Sequence, residues 1–281
     1  MDLQKGWDFQ DRNGKKYFAV GNFIQRIPSG LYTSNQTMYG QYFLTEQTLV
    51  DDPLIKTDTI IELEKMFVAF VSSDFYTEAN MVRKLLILLY GEPGCGKSSV
   101  ILYLSRLMIS LGGICISVSD AEDMENGYNA IRDQDKDRFI LLIFEDVDRV
   151  VSYSDTESSV SNILDGRHSL HNTIFIATTN YISKLPPRLL RPGRFSEIVE
   201  VTPPSQENKI EAVRSIFDGI DDEELARLAA LLDGMDISSV RDTLADVIVF
   251  KKSDEEISRA LANRRKLIAA SKLQQEKNED N

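Results

Sequence analysis

The chain has 281 residues, enough for about two domains of ordinary size. Its 44 acidic side chains outnumber 32 basic ones, and the net charge of −12 argues against a protein that coats nucleic acid by bulk charge. Two cysteines, Cys95 and Cys115, are too few for a disulfide framework, and two histidines argue against a zinc site. We expect a cytoplasmic protein without a membrane segment, because no secretory signal or bilayer-length apolar run is visible.

Residues 1–50 are rich in Gly, Tyr, Phe, Gln and Thr, which predicts a β-rich N-terminal extension. Tyr17–Ile24 and Met38–Leu44 are typical of short strands, with Pro28-Ser29-Gly30 as turn residues between them. In residues 51–83, apolar side chains recur about every 3.6 residues, which predicts a helix.

Short apolar runs alternate with helical stretches or loops from residue 84 onward. This alternation is typical of a parallel sheet with both faces covered, so we predict an α/β core over residues 51–203. After Pro203-Pro204 the composition becomes helical, which predicts a helical region over 204–281. The predicted strands are Leu85–Tyr90, Ile114–Val118, Phe139–Phe144, Thr173–Ala177 and Glu197–Val201.

The segment Gly91–Ser98 matches the pattern G-x-x-x-x-G-K-[ST], between a predicted strand and the predicted helix Ser99–Ile109. Its glycines let backbone N–H groups turn towards phosphates, and the helix N-terminus adds a positive dipole. Lys97 can reach the β- and γ-phosphates, and the Ser98 hydroxyl suits Mg²⁺. We interpret Cys95 as a small filler and not as a nucleophile. The predicted nucleotide-binding residues are Pro93, Gly94, Cys95, Gly96, Lys97, Ser98 and Ser99.

An acidic pair, Glu145 and Asp146, directly follows the predicted strand Phe139–Phe144. A carboxylate at a strand end beside the phosphate loop can hold the Mg²⁺ shell, and a second can orient or deprotonate the attacking water. We assign Glu145 to the metal and Asp146 to the water. Most enzymes of this kind have Asp before Glu; with the shorter Asp in second place, the water must sit closer or hydrolysis slows. The alternative interpretation is a solvated acidic loop.

Two further polar features follow the predicted strand Thr173–Ala177. Asn180 stands at its end, where an amide would lie between the acidic pair and the γ-phosphate. Arg191 and Arg194 bracket a Pro-Gly turn, so they project from a constrained backbone and suit the spread charge of a transferring phosphoryl group. A surface salt-bridge pair is the alternative interpretation of these arginines.

Together these motifs resemble the AAA family of ATPases, over roughly residues 54–250. The Glu-Asp order is most similar to the branch that contains the mitochondrial translocase of the folded Rieske protein, which has a transmembrane segment. The stretch Ile27–Tyr32 is also similar to stand-alone AAA proteins of bacteriophage genomes. The motifs that carry the family resemblance are Gly91–Ser98, Glu145–Asp146, Ala177–Asn180 and Leu189–Phe195, and those that carry the branch are Asn162–Gly166, Thr178–Asn180 and Leu190–Phe195.

The resemblance implies an α/β P-loop NTPase core with a five-stranded parallel sheet and a C-terminal helical lid. It also implies ATP with Mg²⁺ at the subunit interfaces of a homo-oligomeric ring, usually a hexamer. Asn180 matches the first sensor, and Arg191 and Arg194 match arginine fingers that act on the ATP of a neighbour. Arg241 matches a second sensor on the lid, with an exposed helix residue as the alternative.

The family's pore loop, which grips a polypeptide, corresponds here to the short acidic segment Ser119–Tyr128. Met124 or Tyr128 is the candidate gripping residue, and an ordinary helix contact is the other interpretation of each. Residues 117–165 carry 13 acidic and four basic side chains, a net of −9. In a ring they would make an acidic channel that favours a basic or neutral polypeptide over nucleic acid.

Three functions remain open at this level. The first is a ring-forming ATPase that remodels or moves a protein partner. The second is a clamp-loader-like ATPase that handles DNA, which the acidic segment argues against. The third is a nucleotide-gated scaffold with slow hydrolysis, suggested by the order of Glu145 and Asp146.

Overall fold

A computed structural model describes residues 6–11, 15–20, 26–36, 42–49, 54–118, 121–150, 164, 170–217, 219–232, 235, 237–263 and 266. The chain forms two compact units, Met1–Thr202 and Pro203–Asn281. In the described ranges, no helix combines the length and apolar character needed to cross a membrane.

The first unit is built around one mixed sheet. Its strands are β1 Gly6–Asp11, β2 Lys15–Val20, β3 Leu31–Gln36, β4 Tyr42–Gln47, β5 Lys84–Tyr90, β6 Ile114–Val118, β7 Ile140–Phe144, β8 Thr173–Thr179 and β9 Glu197–Glu200. Within the described residues the strand order is β1-β2-β4-β3-β6-β7-β8-β5-β9. Neighbouring strands are antiparallel in the part of the sheet ordered β1-β2-β4-β3. They are parallel in the part ordered β3-β6-β7-β8-β5-β9.

Helices follow the strands of the first unit and make up the described second unit. In the first unit they are α1 Asp58–Ser72, α2 Phe75–Glu78, α3 Lys97–Ser110, α4 Ala121–Gln134 and α5 Val147–Val150, with 3-10 turns at Ile182–Lys184 and Pro187–Leu190. In the second unit they are α6 Gln206–Ile216, α7 Asp222–Leu231, α8 Ile237–Ile248 and α9, residues 254–263.

The predicted five-stranded parallel sheet is confirmed as β6-β7-β8-β5-β9. Alternate residues of each strand point to opposite faces, so the apolar runs feed two separate cores. Leu86 and Leu88 lie in one core, which α4 covers through Tyr128, whereas Ile87 and Leu89 lie in the other, with α1 and α3. Burial on both faces explains why β5 to β8 are nearly continuous apolar runs, whereas the edge strand β9 is mostly exposed.

The N-terminal strands β1–β4, here called the added sheet, extend the core sheet. The sequence predicts two strands in this region; the structure forms four, and β3 pairs in parallel with β6, with Leu31 opposite Cys115. Tyr32 and Leu44 are fully buried in the core. The division of the chain into an extension, a core and a lid stays a prediction.

A buried arginine attaches the residues just before β3 of the added sheet to the core. The Arg138 side chain is 5% exposed, and its Nε donates to the Gly112 carbonyl at 3.1 Å. Its two Nη groups donate to the Ile27 carbonyl and, at 2.9 Å, to the Ser29 hydroxyl. Burial lowers the pKa of this guanidinium, but an arginine remains charged in a protein, so each of these bonds stabilises a buried positive charge.

The second unit packs a small helical core of its own. Asp221 caps α7 by accepting from the Glu224 N–H at 2.8 Å, and Ser205 and Asn208 form a capping box at α6. The buried Lys209 donates its ammonium to the Leu232 carbonyl at 3.1 Å, at the C-terminal end of α7. These contacts satisfy helix-end groups that have no partner within their own helix.

Candidate functional site

The phosphate loop connects β5 to α3 and requires glycine at several positions. Gly94 and Gly96 have φ of 85° and 113°, which side chains rarely adopt. A Cβ at Gly91 would lie 2.4 Å from the Val201 carbonyl oxygen, so only glycine fits beneath β9 there. The first N–H groups of α3, from Lys97 onward, have no partner within the helix and point towards the loop.

The Lys97 ammonium lies inside this loop. Its Nζ donates to the carbonyls of Gly91 at 2.7 Å and Glu92 at 3.0 Å, and lies 3.7 Å from the buried Cys95 Sγ. The lysine is only 8% exposed, which holds its charge next to the N-terminus of α3. Such a loop fits a nucleotide phosphate, because it combines an ammonium with free backbone donors. Of the other predicted loop contacts, Pro93, Gly94 and Ser98 are exposed and Gly96 and Ser99 are half-buried.

Ser98 and Glu145 meet across the loop. The Ser98 hydroxyl donates to Glu145 Oε2 at 3.2 Å, and Glu145 is exposed at the end of β7. Within the described ranges, no three His, Cys, Asp or Glu side chains form a cage for a metal ion. A hydroxyl with one carboxylate is the donor set that suits Mg²⁺ when it is bound together with nucleotide phosphates, so these two residues fit that ion.

Asp146 and Asn180 are also brought together. Asp146 adopts a left-handed backbone with φ of 51°, and its N–H donates to Thr178 Oγ1 at 3.0 Å. The Asn180 amide donates to Asp146 Oδ1 at 3.2 Å, and Arg149 Nη1 lies 3.3 Å from Asp146 Oδ2. Sequence reasoning missed Arg149, although its position three residues after Asp146 is a usual helical ion-pair spacing.

A second bond lies just behind this contact. The Thr179 hydroxyl donates to Asp148 Oδ1 at 2.7 Å and accepts from the Tyr181 N–H at 3.0 Å. Both Thr179 and Asp148 are buried. No role for either residue could be predicted from the sequence, since the two lie 31 positions apart and their spacing does not indicate a buried contact.

Arg191 and Arg194 stand on a turn that is anchored at both ends. Leu189 and Phe195 are buried in the core, and the Phe195 ring stacks on Phe175 with centroids 6.3 Å apart. Between these anchors Arg191 is exposed and Arg194 is half-buried. The structure thus joins Ser98 to Glu145 and Asn180 to Asp146, and it keeps Lys97 inside the phosphate loop. The two arginines stand on a separate turn.

Three other predicted residues have different outcomes. Tyr128 is 4% exposed, and its hydroxyl accepts from Arg132 Nε at 3.1 Å, so it is a core residue of α4 and not a gripping residue. The side chains of Met124 and Arg241 lie outside what the structure describes, as do residues 119 and 120 and most of 151–169.

Part of the acidity in residues 117–165 is paired within the chain. Asp135 contacts Arg26, and Asp146 contacts Arg149. The acidic central channel stays a prediction, because it depends on residues outside the described ranges.

Comparisons with known proteins point to one family. Residues 87–203 match the family described as "ATPase family associated with various cellular activities (AAA)". The mitochondrial chaperone BCS1 of Danio rerio is 33% identical over 155 residues, 49% of this chain and 36% of that protein. The ATP-dependent zinc metalloprotease FtsH of Cutibacterium acnes is 30% identical over 215 residues, which are 64% of this chain and 29% of that protein. A proteasome-activating nucleotidase of Methanococcus vannielii is 27% identical over 189 residues, which are 59% of this chain and 46% of that protein.

The chain therefore spans between 29% and 46% of the length of these three relatives. The matched stretch contains the phosphate loop, the acidic pair, Asn180 and both arginines, and the predicted family is confirmed. Residues 87–203 therefore form a domain of the AAA family of ATPases.

Proposed function

We propose that the protein is a Mg²⁺-dependent, ring-forming ATPase that couples ATP hydrolysis to remodelling or movement of a protein partner. The observation that carries this proposal is that five polar side chains lie where β5, β7 and β8 end. They are Lys97, Ser98, Glu145, Asp146 and Asn180. We call this region the active edge; it comprises Gly91–Ser98, Glu145–Asp148 and Thr178–Asn180. Ligands of open parallel sheets bind outside the carboxyl ends of the strands.

Each group at the active edge has a distinct task in this proposal. Lys97 and the N–H groups of the loop hold the phosphates of ATP, and Ser98 with Glu145 would hold Mg²⁺, which when bound neutralises phosphate charge. Asp146 orients the attacking water and accepts its proton. Asn180, which donates to Asp146 Oδ1, would orient the same water.

The contacts of Asp146 also favour a second candidate, a nucleotide-gated scaffold with slow turnover. Both oxygens of this carboxylate have a donor nearby, Asn180 at 3.2 Å and Arg149 at 3.3 Å. These contacts compete with an attacking water for the two carboxylate oxygens. Steady-state turnover separates the candidates, because a scaffold binds ATP tightly while hydrolysing it slowly.

A ring and a protein partner are supported by analogy. The relatives include proteins named as a mitochondrial chaperone and a proteasome-activating nucleotidase. The exposed Arg191, on a turn anchored by buried residues, is suited to reach a nucleotide on a neighbouring subunit. The acidic composition of 117–165 supports a basic or neutral polypeptide as the partner.

Mass photometry with and without ATP tests the ring, with assembly expected in ATP and a monomer under all conditions contradicting it. Mixing Arg191→Ala subunits with Lys97→Ala subunits then tests shared sites. We expect activity to recover at intermediate ratios if the arginine acts on a neighbour's ATP, and no recovery at any ratio speaks against it. A pull-down with Asp146→Asn as a trap identifies the protein partner.

A further inference from the structure

We propose that Thr179 and Asp148 are positioning residues, whose hydrogen bond holds Asn180 at the correct distance from Asp146. This inference rests on the proposed function, since it concerns the geometry of the water-orienting pair. Neither residue contacts the predicted substrate position directly, so both act through their neighbours.

Three bonds connect the end of β8 to the turn after β7. Thr178 Oγ1 accepts from the Asp146 N–H at 3.0 Å, and Thr179 Oγ1 donates to Asp148 Oδ1 at 2.7 Å. The Asn180 amide then donates to Asp146 Oδ1 at 3.2 Å. Three consecutive residues on one side therefore bind a three-residue stretch on the other, which fixes the register of the two segments.

The Thr179–Asp148 bond is the shortest and most buried of the three. Thr179 is 0% and Asp148 8% exposed, so water competes little for either group. A bond from a hydroxyl to a carboxylate is charge-assisted and stronger than the neutral bond between the Asp146 N–H and Thr178. The bond from Asn180 to Asp146 also ends on a carboxylate, but it is longer and only partly buried. It is therefore the firmest attachment between the two segments.

The Thr179 hydroxyl also constrains Asn180 from both sides. As a donor it holds residue 179 to α5, and as an acceptor it binds the Tyr181 N–H at 3.0 Å. Asn180 stands between these two ends, so its backbone has little freedom to turn. The left-handed φ of 51° at Asp146 brings that carboxylate towards the same side chain.

Loss of the Thr179 hydroxyl should move Asn180 and Asp146 relative to each other while leaving the phosphate loop intact. Misplacement of a catalytic group by about 1 Å can cost up to about 100-fold in rate. We expect Thr179→Val to lower kcat about tenfold without weakening binding of ATPγS. Thr179→Ser keeps the hydroxyl and is expected to retain kcat within about twofold of the wild type.

The matched control is Thr173→Val on the same strand. Thr173 is also 0% exposed, and its hydroxyl donates to the His171 carbonyl at 2.9 Å, at the end of β8 remote from the active edge. The control should lower thermal stability to a similar extent while kcat of the folded protein stays at the wild-type value. A purely structural role for Thr179 would give the same pattern as this control.

A double-mutant cycle with Asn180→Ala provides the decisive readout, with Asn180→Ala alone expected to lower kcat. If Thr179 acts through Asn180, the double variant has the same kcat as Asn180→Ala; multiplication of the two losses would overturn the inference. If Thr179→Val does not fold, Asp148→Leu replaces it in the same cycle. Asp148→Asn, which keeps an acceptor oxygen, is then the conservative control.

Two outcomes separate this inference from the proposed function. A wild type without turnover rejects the proposed function, whereas an active wild type together with an unchanged kcat in Thr179→Val rejects this inference alone.

Discussion

The acidic pair Glu145–Asp146 at the active edge and the attachment of the added sheet hold their charges in opposite ways. At the active edge Glu145 is exposed, and the Arg149 side chain that contacts Asp146 is 75% exposed. At the attachment the Arg138 guanidinium is almost fully buried and donates to three oxygens of the surrounding chain. Exposed ion pairs exchange partners at little cost, whereas a buried charge that loses its partners is strongly destabilising.

This difference suggests a division of roles within one sheet. Glu145 and Asp146, which must change partners during a reaction, lie at the carboxyl end of β7, where Glu145 is exposed and Asp146 is half-buried. Arg138, which joins the added sheet to the core, is buried and donates three hydrogen bonds. Variants at the attachment should therefore change stability, and variants at the active edge should change function.

The largest effect on stability is expected for Arg138→Met. Removing the guanidinium leaves the Ile27 and Gly112 carbonyls without this donor, and we expect a loss of about 3 kcal/mol in the free energy of unfolding. Urea denaturation measures it. The control is Arg26→Met, an exposed partner of Asp135, which should cost no more than about 1 kcal/mol. Equal losses of unfolding free energy in the two variants would mean that burial does not make Arg138 more important for stability than Arg26.

The largest effect on binding is expected for Lys97→Ala. The ammonium lies inside the phosphate loop, so its removal should weaken ATP binding about 100-fold, as expected for the loss of charge-assisted bonds. Titration with a fluorescent ATP analogue measures the dissociation constant. Lys184→Ala, an exposed lysine on the 3-10 turn after β8, should bind as the wild type does. Unchanged affinity in Lys97→Ala would contradict the assignment of the loop.

The buried Cys115 thiol, on β6 where it pairs with β3, should make the protein less stable in alkaline solution. Cys115 on β6 lies opposite Leu31 on β3, and burial raises the pKa of its thiol from 9.0 to about 12. The unfolded chain therefore loses the proton first, so stability is unaffected below pH 9 and falls as pH rises from 9 to 12. We expect this thiol to cost about 1 kcal/mol by pH 10. Denaturation at pH 8 and pH 10 measures it, and Cys115→Ala should reduce the difference; an equal difference in both proteins would contradict a buried thiol.

The smallest effect is expected for Arg149→Gln. Because this exposed guanidinium contributes about 1 kcal/mol or less to its pair with Asp146, its removal should raise kcat by about two- to fivefold. The gain should shrink in high salt, which screens the same pair in the wild type. Turnover at low and high ionic strength measures both effects, with the exposed Lys65→Gln on α1 as control. A fall in kcat would show that Arg149 supports Asp146 instead of restraining it.

Local patterns account for what could be predicted from the sequence. The phosphate loop and its Lys97 are contiguous in the chain, and the apolar runs of β5 to β8 depend on burial on both faces. β3 could not be predicted, because its residues Thr33–Gln36 are polar and lack the apolar pattern of a strand. The strand forms by pairing with β6. Likewise, burial of Arg138 and the bond between Thr179 and Asp148 depend on segments far apart in sequence.

Turnover of Mg²⁺-ATP by Asp146→Asn, beside the wild type, is the most direct test of the central claim. The amide cannot accept the proton of the attacking water, so we expect kcat to fall at least about 100-fold, within the usual contribution of a general base. Binding of the fluorescent ATP analogue should stay within about twofold of the wild type, because Lys97 and the loop are untouched. Wild-type turnover in Asp146→Asn would contradict the assignment of this carboxylate to the water.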